Sequence, residues 1–286
     1  SGSSNTFIGH QSGKGSSSAP YSTGGSNTAV GYQALDNFTT GERNVVIGLQ
    51  AGYDITTSSR NSFLGYRAGY NTDANDNVAI GNQAGFYNVT GNDNVAIGAY
   101  SMQGASGNSH GSNVAIGRNS LFSITTANSV VAVGKDALYS NTTGTNTAVG
   151  YQALKDSTTN TQNTALGYNA GQNLTANNNV AIGHQATDSG TSATGNVSVG
   201  YRALRYNVTG DYNIAIGAET LQGVSGQSHS NNVAIGHQAG KLLTTGASNV
   251  LIGHGAGDIL TSGGANVIIG QSAGDYIQTG TGNTVV

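Results

Sequence analysis

One short pattern of hydrophobic and polar positions returns along the whole chain. The string Asn-Val-Ala-Ile-Gly occurs intact at 77–81, 94–98, 113–117, 179–183 and 232–236, and degenerate copies run from 5–9 to 266–270. Each copy ends in an anchoring glycine, which is taken as position 0 of its repeat. The anchoring glycines are Gly9, Gly31, Gly48, Gly65, Gly81, Gly98, Gly117, Gly134, Gly150, Gly167, Gly183, Gly200, Gly217, Gly236, Gly253 and Gly270. After a first gap of 22 residues the spacing is 16 or 17, with two gaps of 19, which indicates a repeat array.

The residues before each glycine alternate in a way that predicts a β-strand. Positions −3 and −1 carry Val, Ile or Leu in most copies, as in Val45 and Ile47, which predicts a buried side at these positions. Position −2 is usually Ala, and so is position +3, which predicts a second side that is covered but sterically tight. Positions +6 to +12 are rich in turn-forming residues. Each unit of about 17 residues is therefore expected to hold one strong strand, one weaker strand and two turns.

A unit this short cannot bury its own apolar side, whereas stacked units can. The pattern therefore predicts an all-β fold, a parallel β-solenoid of about 16 short coils. Coils at the usual strand spacing of about 4.8 Å would form a rod of about 75 Å. A helical solenoid is disfavoured, because units of this length with so many Gly and β-branched residues leave no room for a helix pair.

The order of the repeats predicts the domain organisation. Residues 1–26 are expected to be an N-terminal capping unit, because the loop 13–20 replaces the usual linker and holds the only Pro. Residues 27–286 form a continuous array. A seven-coil block, 27–145, is duplicated from residue 146, since six anchoring glycines recur 119 residues later.

The two 19-residue gaps lie at equivalent places in the two blocks and predict loops that project from the array. They are the best candidates for a special contact surface. The candidate contact residues are Gln103, Ser106, Asn108 and His110 in the first loop and Gln222, Ser225, Gln227 and His229 in the second. Both histidines are expected to be solvated.

The string Asn-Thr-Ala-Val-Gly-Tyr-Gln-Ala-Leu, found at 27–35 and 146–154, resembles the repeats of two related groups. One is the YadA-like head of trimeric autotransporter adhesins, and the other is the repeat region of bacteriophage tail-fibre proteins. The resemblance implies a left-handed β-roll packed as a homotrimer. It implies that Val at −3 and Ile at −1 fill the coil, that Ala at −2 or +3 lets three coils approach, and that Asn at −4 forms a stacked ladder. The longer repeats and the lack of a heptad stalk or anchor favour the phage side.

Composition narrows the classes of partner. A net charge of −3 with only 8% charged residues provides no basic stripe, so nucleic acid is not an expected partner. Polybasic clusters and long apolar runs are absent, so no membrane insertion is expected. Cysteine is absent, so there is no disulfide framework.

Candidate catalytic and metal-binding groups are better explained by the repeat. Gly-x-Ser-x-Gly occurs at 107–111 and 270–274, but the pattern has meaning only on a strand–turn–helix elbow with a separate His and acid. Gly253-His-Gly-Ala-Gly lacks the third glycine of a dinucleotide loop. Asp258 and Asp275 at +5 would suit glycosidase chemistry only as a paired site. Histidines at +1 offer a shared metal site in a trimer, yet tyrosines hold the same position elsewhere. No enzyme activity, cofactor or metal is expected. These +1 histidines are His10, His184, His237 and His254.

Two further stripes follow the repeat. Thr recurs at +8 or +9, where it either suits a turn or forms a flat ladder that matches ice or a sugar lattice. Aromatic residues recur at +5 or +6 and either fill the second side of the coil, which is the favoured interpretation, or stack on sugars. These residues are Tyr53, Tyr70, Phe86, Tyr87, Phe122, Tyr139, Tyr206 and Tyr276.

These features lead to one functional expectation. The chain is expected to be a structural, adhesive segment of an extracellular fibre, most favourably a phage tail fibre on a virion, that presents repeated surfaces to cell-surface polysaccharide or another host receptor. The alternatives are the head of a trimeric autotransporter-type adhesin on a bacterial surface and a monomeric ice-binding solenoid.

Overall fold

The computed structural model describes residues 2–15, 22–190 and 192–286. Within these residues the fold is a parallel β-solenoid of about 15 turns with no helix, as the repeat predicts. Each turn contributes one strand of three residues, and the last strand has two. The strands are β1 (Thr6–Ile8), β2 (Thr28–Val30), β3 (Val45–Ile47), β4 (Ser62–Leu64), β5 (Val78–Ile80), β6 (Val95–Ile97), β7 (Val114–Ile116), β8 (Val131–Val133), β9 (Thr147–Val149), β10 (Thr164–Leu166), β11 (Val180–Ile182), β12 (Val197–Val199), β13 (Ile214–Ile216), β14 (Val233–Ile235), β15 (Val250–Ile252), β16 (Val267–Ile269) and β17 (Thr284–Val285).

The chain divides into two compact units, Ser1–Gly144 and Thr145–Val286, called unit 1 and unit 2. In unit 1 each strand from β1 to β8 pairs in parallel with the next, position for position along the repeat. Unit 2 repeats this arrangement from β9 to β17. β1 already pairs in register with β2, so the first described coil has the regular strand. The capping role of residues 1–26 stays a prediction, and its loop residues 16–21 lie outside the described residues.

The second, weaker strand of each unit is not present in the described part of the chain. The residues at +2 and +4 adopt the left-handed conformation instead, as at Gln50 (φ 54°) and Gly52 (φ 53°). Two left-handed residues so close together prevent an extended segment. The remainder of each coil is therefore a series of turns that hydrogen-bond to a neighbouring coil, as when the Gln50 N–H donates to the Tyr32 carbonyl of the preceding coil at 2.9 Å.

The predicted orientation of the strand is wrong. The middle residue, position −2, points into the coil: Val46 is 0% exposed and Phe63 is 1% exposed. The flanking residues point outward, with Val45 46% and Ile47 36% exposed. A three-residue strand sends alternate side chains to opposite faces, and the narrow interior takes only the middle one. The aliphatic residues at −3 and −1 therefore do not fill the coil, and the Ala at −2 does not face a neighbouring chain.

Side chains at positions −2, +3, +4 and +7 fill the interior. The side chains at −2 and +4 compensate for each other in volume. Where −2 is large, +4 is Gly: a Cβ on Gly69 would lie 2.3 Å from the Phe63 ring. Where −2 is Ala or Ser, +4 is usually Leu or Met, and that residue is buried. The large–Gly pairs are Phe7/Gly13, Val46/Gly52, Phe63/Gly69, Leu251/Gly257 and Ile268/Gly274. The small–large pairs are Ala29/Leu35, Ala96/Met102, Ala115/Leu121, Ala132/Leu138, Ala148/Leu154, Ser198/Leu204 and Ala215/Leu221.

Each anchoring glycine packs on the next within its unit. Gly81 has a φ of 134°, a region that disfavours L side chains. A Cβ there would lie 2.7 Å from the carbonyl carbon of Gly98. The glycine is therefore required both by its own backbone conformation and by the backbone of the neighbouring coil.

The asparagines at −4 form the buried ladder that the resemblance implies. The Asn44 side-chain oxygen accepts hydrogen bonds from the backbone N–H and the side-chain amide of Asn61, at 3.0 and 3.1 Å. The Asn44 amide donates in turn to the Asn27 oxygen and to the Ser58 carbonyl, both at 3.0 Å. Each amide thus satisfies buried polar groups of neighbouring coils, which would otherwise cost about 1–3 kcal/mol each. Val130 interrupts the ladder in unit 1, where its N–H donates to Asn113 Oδ1 at 2.9 Å.

Candidate functional surfaces

The outward-facing strand residues give each unit an exposed apolar face, defined by positions −3, −1 and +1. In unit 1 its most exposed aliphatic residues include Val45, Ile47, Leu64, Ile80 and Ile116. In unit 2 they include Leu166, Ile214, Ile216, Ile235, Val267 and Ile269. Contiguous apolar surface of this kind is uncommon on monomeric soluble proteins and marks interaction sites. This face is therefore a candidate interaction surface of each unit.

Position +1 adds rings to the edge of the same face. In unit 2, Tyr151, Tyr168 and His184 stack in successive coils with ring centroids 5.0 and 4.9 Å apart. His237 and His254 stack at 5.1 Å. Among the described residues no cluster of three or more His, Cys, Asp or Glu side chains is arranged to hold a metal ion. The +1 histidines stack on neighbouring rings, His184 on Tyr168 and His237 on His254. A metal site shared by three copies of the chain stays an untested alternative.

The two 19-residue loops combine exposed tips with buried histidines. Ser106, Ser225 and Gln227 are exposed, whereas Gln103, Asn108 and Gln222 are half-buried. His110 and His229 are 1% and 2% exposed, so the prediction that they are solvated is wrong. The physical reason lies in the backbone. Each histidine carbonyl accepts the side-chain amide of a ladder asparagine at 2.8 Å, which draws the residue into the coil.

Both imidazoles are buried inside their loops. Neither ring nitrogen of His110 or of His229 has a hydrogen-bond partner. Burial lowers the pKa of each to about 4. A buried group without a partner resists taking up charge, so the two loops hold neutral histidines at neutral pH.

Most aromatic residues of the stripe at +5 and +6 are half-buried. Tyr53, Tyr70, Phe122 and Tyr139 are half-buried, and only Phe86 is buried. The favoured interior interpretation therefore holds for one residue of the stripe. Tyr276, in the last coil, is almost fully exposed.

The Thr stripe has two parts with different roles. At +8 the hydroxyl holds adjacent coils together, since the Thr39 hydroxyl donates to the Thr56 carbonyl at 3.0 Å. Thr125 and Thr244 make the same bond to the next coil. At +9 the side chains are exposed, as at Thr57 and Thr126.

Asp73 and Ser109 both have hydrogen-bond partners that serve the fold. Asp73 accepts hydrogen bonds from the Thr56 hydroxyl and from the N–H groups of Thr56, Thr57 and Ser58. Burial acts to raise the pKa of Asp73, but these hydrogen bonds outweigh it, and the pKa is lower than usual. Ser109, inside one Gly-x-Ser-x-Gly string, accepts the Thr90 hydroxyl at 2.7 Å, and no strand–turn–helix elbow surrounds it.

A second polar ladder was not predicted from the sequence. At +10 or +11 of many coils a side-chain oxygen accepts the N–H of the equivalent residue in the preceding coil. The Ser59 N–H donates to Asn75 Oδ1 at 2.7 Å, and the Asn75 N–H donates to Asn92 Oδ1 at 2.8 Å. Asn, Ser and Asp all serve in this ladder, so no single residue type marks it along the chain.

No family model, curated protein or solved structure matches this chain. The described residues contain no helix that is long and apolar enough to cross a membrane.

Proposed function

We propose that this chain is a structural, adhesive segment of an extracellular fibre, in which three copies pack through their exposed apolar faces and present the remaining surfaces to cell-surface glycans. The main observation in support of this proposal is the row of outward Val, Ile and Leu side chains at −3 and −1. Partly exposed aliphatic residues recur in nearly every described coil of both units. Burying them between copies is favourable at roughly 25 cal/mol per Å² of apolar surface.

The number three and the biological setting come from the resemblance of the repeats. A phage tail fibre on a virion is the first choice, and a bacterial trimeric autotransporter-type adhesin head is the alternative. Both use stacked β-coils as a stiff support for surfaces at fixed spacing. In such a fibre, weak contacts to a repeated ligand add through a high effective concentration.

The polar surfaces suit glycan contact better than they suit charged partners. Only 8% of the residues are charged, and the exposed residues of the two 19-residue loops are Ser, Gly and Gln, together with Ala105 and Val224. Side-chain hydroxyls and amides donate and accept hydrogen bonds, as sugar hydroxyls do.

Ice binding by a single copy is the second candidate, because the exposed Thr residues at +9 are a specific observation in its favour. The row is interrupted where Ala74 replaces Thr and is buried, and again at each 19-residue loop. A monomeric ice-binding solenoid would also leave the apolar face uncovered in solution. A thermal-hysteresis assay tests this candidate directly, and activity in the purified monomer would favour it.

Sedimentation of interface variants tests the fibre proposal. Ile80→Lys combined with Ile116→Lys places two charges on the exposed apolar face, and the assembly is expected to dissociate. Thr126→Lys combined with Thr143→Lys adds the same charge at exposed +9 positions and is expected to leave the assembly intact. Equal behaviour of the two double variants would show that the apolar face is not the interface.

A further inference from the structure

The row at +5 differs in chemistry between the two duplicated blocks. In unit 1 the residues of this row are mostly aromatic, whereas their equivalents in unit 2 are polar or charged. The other rows keep their character, with Asn at −4, Gly at 0 and Ala at +3 in both units. The equivalent pairs are Tyr53 and Gln172, Tyr70 and Asp188, Phe86 and Arg205, Phe122 and Lys241, and Tyr139 and Asp258. Since both blocks fold alike, the solenoid itself does not require aromatic residues here.

The rings of unit 1 form two offset stacks, called the aromatic strip. Tyr53 and Tyr70 stack with centroids 5.0 Å apart, and Tyr70 and Phe86 stack at 5.1 Å. Phe122 and Tyr139 stack at 4.9 Å with parallel planes. Nearly parallel rings at these distances adopt the offset arrangement that aromatic pairs prefer. Phe86 is buried, and the other four rings are half-buried and held by their neighbours, so they lose little conformational entropy when a ligand binds.

The first 19-residue loop lies between the two stacks. Gln103 occupies the +5 position of its coil, and its carbonyl accepts the Tyr87 N–H at 3.1 Å. The next residue, Gly104, donates its N–H to the Phe122 carbonyl at 2.9 Å. The exposed loop tip, residues 105–107, follows directly. The strip thus has rings on both sides of a projecting polar loop.

Hydrogen-bonding groups border the rings. The Asn37 amide donates to Asp54 Oδ1 at 3.1 Å, one position after the Tyr53 ring. The Arg67 guanidinium lies 5.3 Å from the centroid of the Tyr70 ring. A ligand that matches this surface needs C–H faces for the rings and hydroxyls for the polar groups that border Tyr53 and Tyr70. An extended sugar chain presents both C–H faces and hydroxyls along its length.

We propose that the aromatic strip of unit 1, together with loop 104–109, binds an extended glycan chain that runs along the direction of stacking. This inference rests on the proposed function, which it makes specific by assigning the glycan contact to one unit. Unit 2 keeps the second 19-residue loop but carries Arg205 and Lys241 where unit 1 has Phe86 and Phe122. It therefore lacks the rings that such a chain would contact.

A glycan array carrying neutral and anionic bacterial surface polysaccharides tests the proposal, using the full chain. The strip variant is Tyr53→Gln with Phe122→Lys, which copies the residues that unit 2 already accommodates at the equivalent positions. The matched control is Gln172→Ala with Asp258→Ala in unit 2. Thermal unfolding followed by circular dichroism checks that each variant folds, and Tyr53→Gln alone is the milder variant. Removing anchoring rings should weaken binding roughly tenfold or more.

The outcomes separate this inference from the proposed function. Binding by the wild type and the control, with loss in the strip variant or a weakening in Tyr53→Gln, supports the strip. Binding that survives in both strip variants, or that falls equally in the control, overturns it and leaves the proposed function standing. If the wild type binds no polysaccharide on the array, the glycan part of the proposed function fails, and this inference fails with it.

Discussion

The compensation in side-chain volume between positions −2 and +4 leads to a quantitative prediction about the core of unit 1. Phe63 is 1% exposed, and replacing it with Ala removes a buried ring, which costs roughly 3–5 kcal/mol. Replacing Gly69 with Leu in the presence of that ring is also unfavourable. The new Cβ would lie 2.3 Å from the ring, and overpacking of this kind costs about 1–3 kcal/mol or more.

Combined, the two substitutions recreate an arrangement that the chain already uses. The pair becomes Ala and Leu, as at Ala115 and Leu121, where the buried Leu has a φ of 52°. The φ of Gly69 is 59°, so its backbone needs little adjustment. We expect the double variant to be more stable than Phe63→Ala, with a coupling of about 3 kcal/mol in its favour.

Urea unfolding followed by circular dichroism measures the four members of this cycle. As a control, Phe63→Ala is combined with Gly240→Leu in unit 2, where a Cβ would lie 2.6 Å from Leu251. The side chains at these two sites do not share a space, so the losses in free energy of unfolding caused by the two substitutions should add. Strict additivity for Phe63 and Gly69 would refute the reasoning that their side chains share one space.

Three other perturbations test the glycine stack, the Asp73 site and the buried histidines. Gly81→Ala should destabilise by several kcal/mol in thermal unfolding, because its Cβ meets backbone, whereas Gly226→Ala, with no atom within 4 Å of the new Cβ, should cost about 1 kcal/mol; equal costs would contradict the stacking account. Asp73→Ala should cost about 2 kcal/mol in urea unfolding and Asp73→Asn clearly less, since Asn keeps one acceptor oxygen; a larger cost for Asn would count against it. The pKa values of His110 and His229 are lowered to about 4, so their neutral forms should stabilise both loops above about pH 6.5. This stability, on the order of 3 kcal/mol for each histidine, should be lost as the pH falls towards 4. Hydrogen exchange of the loops, corrected for intrinsic rates, measures this loss, which His110→Leu with His229→Leu should abolish; protection unchanged at pH 4 in the wild type would contradict it.

The period of the repeat was sufficient to predict the fold, because alternation before each glycine and a spacing near 17 residues permit few other architectures. Which face of the strand is buried was not predictable in the same way. Val, Ile and Ala are all apolar, so period two alone cannot tell which face is inside. The exchange between Phe63 and Gly69 contains that information, since only residues that share a space compensate in volume. The pattern is visible along the chain once positions −2 and +4 are compared.

The candidate surfaces were predictable only in part. The two 19-residue loops stand out as insertions, but the burial of His110 depends on its carbonyl, which accepts the Asn94 amide. Side-chain type alone does not reveal such a backbone bond. The aromatic stripe was visible from Tyr53 to Tyr139, whereas its half-buried state depends on how the turns at +2 and +4 orient the following residue.

The central claim is that the outward Val and Ile residues form an interface between copies. The mass of the wild-type assembly tests this claim most directly. Native mass spectrometry and sedimentation equilibrium of the purified chain count the copies per particle. We predict three chains per particle, stable on dilution. A particle that stays a single chain at every concentration, with its −3 and −1 residues open to solvent, would contradict the account.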